Sequence, residues 1–251
     1  MGPVHDRLTI LSPHRDDAVF SLAFFLDRLA GRQMRITVVN IFTRSAYGPR
    51  CALDHETSED RRLRISMLRA HEDRRAFRIL NPEIRVLDHS LLDAPLRRET
   101  PVESVLGPNS VPVLEAETKL LARRLLPHIT HSLILCPLGL GGHVDHLTVK
   151  AAALNLSPGR RLAFYEDVPY VRWSSGDEMR HRIDETGLQL QSYFVRTDRN
   201  SWYKARLAAQ YQSQISKKEA STIGRDTSRL SVGETIWAPR HSISWIRLLK
   251  Q

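Results

Sequence analysis

The stretch that decides the fold is Leu8-Thr9-Ile10-Leu11-Ser12-Pro13-His14-Arg15-Asp16-Asp17. A short apolar run, Leu8 to Leu11, meets a proline, a histidine and two carboxylates. The following residues, Asp17 to Leu29, carry Phe20, Ala23, Phe24 and Leu26 and stop before Gly31. This reads as a strand, a polar turn and a buried helix. A sheet that binds a dinucleotide places a glycine-rich loop at this turn. Pro13 to Asp17 stands there instead, so no nucleotide cofactor is expected.

Working outward, Arg35 to Phe42 is continuous and β-branched, the pattern of a strand buried on both faces. Glu59 to Leu80 is a long helix with Ile65, Leu68, Ala76 and Ile79 on one stripe. Its arginines alternate with Glu59, Asp60 and Asp73 and read as solvated partners one turn apart. Glu72 falls inside the apolar stripe, so it is either a paired buried group or part of a site. Asn81-Pro82 closes that helix. Glu83 to Leu87 is a third strand, Asp88 to Pro112 a long connection, and Val113 to Leu126 a helix stopped by Pro127. Leu133 to Cys136 is a fourth strand, Asp145 to Leu154 a helix and Arg161 to Tyr165 a fifth strand. The alternation gives an α/β chain: a Rossmann-like, three-layer fold with a mostly parallel sheet in the order 3-2-1-4-5. Beyond Glu166 the pattern weakens. Ser201 to Ser216 reads as a helix, and the stretch from Gly224 is irregular. With no repeat or low-complexity linker, residues 1–251 form one domain, a core of 1–165 with an extension of 166–251.

The formal net charge is +9, with 37 lysines and arginines. They are spread along the chain, and no RNP, KH or zinc-finger pattern accompanies them, so they describe a solvated surface and not a nucleic-acid partner. No apolar run approaches the roughly 20 residues of a membrane span; the longest, Ala18 to Leu26, is far shorter. Met1 to Asp6 lacks the apolar centre of an export signal, and Asp6 replaces the Ser or Thr that lipidation requires. These features place the protein in the cytoplasm. Cys51 and Cys136 make no CxxC pair and no disulfide framework. Cys136 reads as a small buried residue of the fourth strand.

A second polar motif, Gly141-Gly142-His143-Val144-Asp145-His146, stands about 130 residues after the first. In the order 3-2-1-4-5, strands 1 and 4 are neighbours whose connections leave in opposite directions. A crevice opens at their C-terminal ends, and both motifs lie just past those ends. His14, Asp16, Asp17, His143, Asp145 and His146 therefore converge. Two imidazoles and a carboxylate suit Zn²⁺ with a free position for water. The same set could hold Fe²⁺ or another first-row metal. A remaining carboxylate can serve as general base and a remaining imidazole can polarise a carbonyl. Each motif alone is weak, since His and Asp also cap helices; their joint position carries the reading.

On these residues the chain resembles the PIG-L/LmbE superfamily of metal-dependent N-deacetylases, which places a PHPDD-like motif after strand 1 and an HxDH-like motif after strand 4. Lys204 to Gln214 is similar to its C-terminal helix. The resemblance implies that His14, Asp17 and His146 hold the metal and that Asp16 is the general base. It implies that His143 stabilises the oxyanion or protonates the departing amine, with Asp145 orienting it. Arg15 stands where the family usually has Pro or Leu, and Ala18 where it often has Glu, changes that alter the pocket more than the metal. Gly141 and Gly142 occupy the loop where some members carry a tyrosine that helps the oxyanion, so that role is vacant or filled from elsewhere. Asp93, after strand 3, and Glu166 and Asp167, after strand 5, should overlook the crevice. The acidic pair can receive an aminosugar's ammonium or hydroxyls, or pair with an arginine. Arg44, past strand 2, can bind a phosphate or carboxylate, or lie at the surface. The expected partner is a small N-acylated, aminosugar-containing substrate, with neither nucleic acid nor membrane involved; a homo-oligomer is left open. An amidase cleaving a thiol–sugar conjugate and a noncatalytic sugar- or metal-binding relative are the competing readings.

Overall fold

The computed structural model describes residues 7–52, 57–107, 109–130, 132–156, 161–225 and 233–240. The N-terminal stretch read above for an export signal, and much of the irregular stretch after Gly224, lie outside them. Seven strands form one sheet: β1 (Arg7–Ser12), β2 (Arg35–Asn40), β3 (Arg85–Asp88), β4 (Leu133–Pro137), β5 (Leu162–Tyr165), β6 (Leu190–Arg196) and β7 (Gly233–Pro239). Their order is β3-β2-β1-β4-β5-β7-β6. The first five are parallel, in the order expected from the sequence. β7 joins β5 antiparallel and β6 closes the edge antiparallel to β7.

The helices are α1 (Asp17–Leu29), α2 (Ser58–Leu80), α3 (Ala94–Arg98), α4 (Glu115–Ile129), α5 (Val144–Asn155), α6 (Gly176–Asp184), α7 (Ser201–Ala208) and α8 (Lys217–Arg225). Side chains alternate across the sheet, as strand geometry requires. Leu8, Ile10, Leu133, Leu135, Ala163 and Tyr165 face one core, shared with α1, α2, α7 and α8. Leu11, Ile134, Cys136, Leu162 and Phe164 face the other, shared with α4, α5 and α6. The result is the expected three layers. Phe24 and Phe25 of α1 are almost completely buried, each worth roughly 1.5–3 kcal/mol by transfer from water.

The stretch after Glu166 completes the sheet and both cores rather than lying apart. α1 kinks at Leu22 (φ −131°), which frees backbone N–H groups on its next turn. Phe24 N and Phe25 N donate to Glu234 of β7 at 3.2 and 2.8 Å, and Lys204 of α7 neutralises that carboxylate at 2.7 Å. A residue far along the chain thus repairs the helix that carries Asp17.

Several local expectations change. Pro127 does not stop α4, which runs to Ile129. In the last turn Pro sacrifices only one hydrogen bond, and burial of Ile129 favours continuing. Ser201 to Ser216 is not one helix: α7 ends at Ala208, and α8 begins only at Lys217. β2 ends at Asn40, although Ile41 N and Phe42 N still donate to Ser12 O and Pro13 O. The buried face of α2 is Ile65, Arg69, Glu72, Asp73, Ala76, Phe77 and Leu80; of the expected stripe only Ile65 and Ala76 lie on it, and Leu68 and Ile79 are half-buried. Glu72 is a paired buried group: it accepts from both the N–H and the hydroxyl of Ser213 at 2.7 Å.

Candidate metal centre

The polar residues of the site follow the C-terminal ends of three adjacent strands. His14, Asp16 and Asp17 follow β1, His143 to His146 follow β4, and Asp167 follows β5. The Asp17 carboxylate folds back over its own turn. One oxygen accepts His14 N at 2.7 Å, lies 3.2 Å from His14 Nδ1, and is 3.3 Å from His146 Nε2. One ligand atom each from His14, Asp17 and His146 fit within 4.8 Å of one another. His146 Nε2 is buried and has no hydrogen-bond partner among the described residues. An orphaned imidazole nitrogen aimed at a carboxylate and a second imidazole is what a divalent cation satisfies.

Each of these imidazoles has a carboxylate on its far side. His14 Nε2 lies 3.0 Å from Asp145 Oδ2, and His146 Nδ1 lies 2.6 Å from Asp167 Oδ1. This carboxylate–histidine arrangement fixes ring orientation and raises ligand basicity in metal sites. Both carboxylates are themselves held. Asp145 accepts from Arg97 Nη2 at 2.9 Å and Ala94 N at 3.0 Å. Asp167 Oδ2 accepts from Gly139 N at 2.8 Å and Leu140 N at 3.0 Å. Ligand atoms of a second trio, His14, His143 and Asp145, also lie within 4.8 Å of one another. There the Asp145 carboxylate is already engaged by Arg97 and Ala94, and His143 Nδ1 accepts from Asp145 N at 3.2 Å. The first trio is therefore the better cation site.

The electrostatics follow from this packing. Burial disfavours the charged ring of His14, but Asp145 and Asp17 outweigh it and push the ring up to about 9. His146 behaves likewise, raised to about 10 by Asp17 and Asp167 against its burial. Asp17 is held well below its usual range, its burial outweighed by the two imidazoles. His143 moves the other way: burial, reinforced by His14 and His146, lowers it to about 3. The cluster is thus a compact set of opposed charges with one neutral imidazole beside it.

Asp16 stands at the start of α1 without capping it. One carboxylate oxygen accepts from Arg69 at 3.2 Å, and its side chain keeps 13 % of its exposure. Arg69 is buried, so it is not one of the solvated arginines expected of α2. Its signal was its place four residues after Ile65 and three before Glu72, on the buried stripe.

Other expectations are corrected. Asp145 does not orient His143 through its carboxylate, which faces His14 and Arg97; only its backbone N–H reaches His143. Asp167 is buried behind His146 and cannot receive substrate. Its neighbour Glu166 points elsewhere and accepts from the Trp237 indole at 3.0 Å, so the two form no acidic rim. Arg15 does not reshape the pocket. It turns inward and donates to Thr43 O, Ser66 O and Asp88 at 2.7–3.0 Å, tying the first turn to the loop after β2, to α2 and to β3. Asp93 caps α3 by accepting Leu96 N at 3.3 Å. Arg44 is exposed and lines a second cavity of about 330 Å³ with Phe42 and Arg97; none of the three ligands is in its lining.

Sequence reasoning missed Tyr170. Its ring sits 5.6 Å from that of His146 and 6.5 Å from that of His143, in the neighbourhood where a tyrosine was expected and only glycines stood. The two features are linked. A Cβ on Gly141 would lie 2.7 Å from Tyr170 Cβ and Cγ, and Gly141 and Gly142 have φ of +76° and +68°. The glycines let the loop turn and let the ring close over it.

A profile of the family described as GlcNAc-PI de-N-acetylase (PIG-L) matches residues 9–157. A 2'-N-acetylparomamine deacetylase of Streptomyces fradiae is 30% identical over 176 residues, covering 66% of this chain and 58% of that protein. The chain therefore spans less than two thirds of that relative's length. A teicoplanin-bound deacetylase shares the fold with a TM-score of 0.69 at 19% identity, covering 92% of this chain and 97% of that one. The zinc-inhibited form of a teicoplanin deacetylase superposes with a TM-score of 0.68 at 19% identity over the same shares.

Proposed function

We propose that this chain, which belongs to the GlcNAc-PI de-N-acetylase (PIG-L) family, is a metal-dependent N-deacetylase acting on an aminosugar-containing small molecule. The observation that carries this is the His14–Asp17–His146 trio with its orphaned Nε2 and a carboxylate behind each ring. These three residues would hold a divalent ion, Zn²⁺ by the chemistry of the donor set, with Fe²⁺ as the alternative. Such an ion supplies Lewis acidity to an acetamide carbonyl and to water.

The chain supplies the rest. Asp16 stands next to Asp17 but outside the trio, and Arg69 fixes its rotamer. It takes the proton of the attacking water and passes it to the amine nitrogen as the C–N bond breaks, leaving acetate and a free amine. His143 Nδ1 accepts from Asp145 N, so in the neutral ring the proton sits on Nε2. That N–H donates to the oxyanion at the addition stage. Tyr170 covers the same side of the cluster and limits water entry. No helix among the described residues is long and apolar enough to cross a membrane.

The test is acetate release from N-acetylglucosaminides by zinc-reconstituted protein, alongside Asp16→Asn. Release by wild type and its loss in the variant are expected. A protein that binds one equivalent of metal but frees no acetate from any N-acetylated aminosugar would overturn the activity. Release of a larger acid instead would move the reading to an amidase.

A further inference from the structure

The cavity of about 330 Å³ is walled by the loops after β2 and β3 and by α4. Its floor is apolar: Phe42, Leu91, Leu92 and Leu121, with Leu120 left 53% exposed beside them. Its charge is positive. Arg44 and Arg124 both line it and both are exposed, and neither guanidinium has a hydrogen-bond or ion-pair partner among the described residues. The acid in the lining, Glu117, is already paired with Arg97 and Arg98 at 3.0 and 2.7 Å. The main chain fixes the place of Arg44: its N–H donates to Leu91 O at 2.9 Å and its carbonyl accepts Asp93 N at 3.0 Å. Arg97 serves differently. Its guanidinium lies over the Phe42 ring at 4.5 Å and donates to Asp145 at 2.9 Å. With Phe42, whose ring is 6.5 Å from that of His14, it forms the wall toward the metal centre.

We propose that this cavity binds a small organic acid, one carboxylate or phosphate on a short apolar body, with the anion taken by Arg44 and Arg124 and the body laid on Phe42, Leu91 and Leu120. Two cations on one small cavity are a like-charge arrangement that an anion relieves, and their planar forks match either oxyanion. The floor selects the rest of the molecule. Its polar side chain, Thr148, spends its hydroxyl on Val144 O at 2.8 Å. A hydrocarbon therefore gains by entering, whereas a hydroxylated ring would lose water there without gaining partners. The aminosugar proposed for the metal centre thus does not compete for this cavity, and the acid is a separate ligand whose binding is independent of deacetylation. The volume stands at the small end of cavities that enclose whole molecules, which favours a short chain or a single ring.

The experiment is titration calorimetry of the zinc-loaded full chain with octanoate and octyl phosphate, and with octan-1-ol and acetate as the apolar body and the anion taken separately. At least one of the two acids should bind at a single site with a Kd of about 1 mM or tighter, and octan-1-ol and acetate about tenfold or more weakly than that acid. The tighter acid names the head group. Arg44→Gln combined with Arg124→Gln should weaken it about tenfold or more, the scale of lost charge-assisted hydrogen bonds. Leu120→Asp should weaken it too, by setting a charge against the apolar body. All three side chains are exposed, so none of these changes threatens the fold, and unchanged melting checks this. Octan-1-ol binding as tightly as the acids would overturn the role of the arginines. Acetate binding as tightly would reduce the site to a bare cationic surface and overturn it as well. Acid binding that survives the double arginine variant would place the ligand elsewhere, the metal included, and overturn the site, as would no binding of either acid.

Discussion

Replacing Asp167 by Asn changes one atom, yet the geometry makes it a severe change to metal affinity. Asp167 Oδ2 accepts two backbone N–H groups, from Gly139 and Leu140, while Oδ1 meets His146 Nδ1 at 2.6 Å. An asparagine can keep the loop only by presenting its carbonyl oxygen there. Turning the amide round would leave two buried donors unsatisfied, about 1–3 kcal/mol each. The amide NH₂ is then forced onto His146 Nδ1, which must accept. The ring proton moves to Nε2, the atom that faces Asp17 and would ligate the metal. Loss of the outer carboxylate costs roughly 10–100-fold in metal affinity, and the inverted tautomer places Asp167→Asn at the upper end, about 2.7 kcal/mol. The assay is competition for Zn²⁺ against a chromophoric chelator, with melting of the metal-free proteins as the fold control. Affinity within about twofold of wild type, with equal melting, would refute both the tautomer argument and the assignment of His146 Nε2.

Three further outcomes follow from the same geometry. Asp16→Asn should lower acetate release by about 10²–10⁴-fold, the usual scale of general-base catalysis, and keep its zinc; loss of metal would show that Asp16 is a ligand. Gly141→Ala places a Cβ at positive φ and 2.7 Å from Tyr170, so unfolding in denaturant should show a loss of about 2–5 kcal/mol; wild-type stability would refute the close approach. Asp73 is a buried carboxyl that desolvation raises to about 7 from its ordinary 3.8, against hydrogen bonds from Tyr211 and Asn40. The folded chain therefore keeps a proton that the unfolded chain releases as pH rises from about 4. Stability is lost progressively up to about pH 7, by about 4 kcal/mol at most. Asp73→Asn should flatten the fall in unfolding free energy between pH 5 and 8, and parallel curves would contradict this.

The five parallel strands were legible because each is a short apolar run with a polar stop, and the crevice between β1 and β4 follows from their order alone. The antiparallel β7–β6 edge was not. It depends on pairing between residues some 40 apart, such as Tyr193 with Ile236, and local pattern carries no record of that. Strand order placed Asp167 at the right end of the right strand but could not say which way it points. An acid after a strand reads as a pocket rim until a buried histidine is found beside it. Arg15 and Arg69 were hidden for the opposite reason: both sit among so many arginines that only burial separates them from the solvated ones. Tyr170 had no local signal, and the glycines that accommodate it looked like a missing residue.

The compact motif after β4 gains its spacing from three separate duties. His143 ends the loop and accepts Asp145 N, as a residue that precedes a helix does. Asp145 and His146 are adjacent in sequence and so point about 100° apart around the first turn of α5. One reaches His14 and the other reaches Asp17. A single helical turn thereby delivers one ligand, the carboxylate that orients the other histidine ligand, and the neutral imidazole beside them. Inserting one residue between His143 and His146 would rotate these duties out of register together. For this reason the motif is informative as a unit even though each of its residues, taken singly, is an ordinary start to a helix.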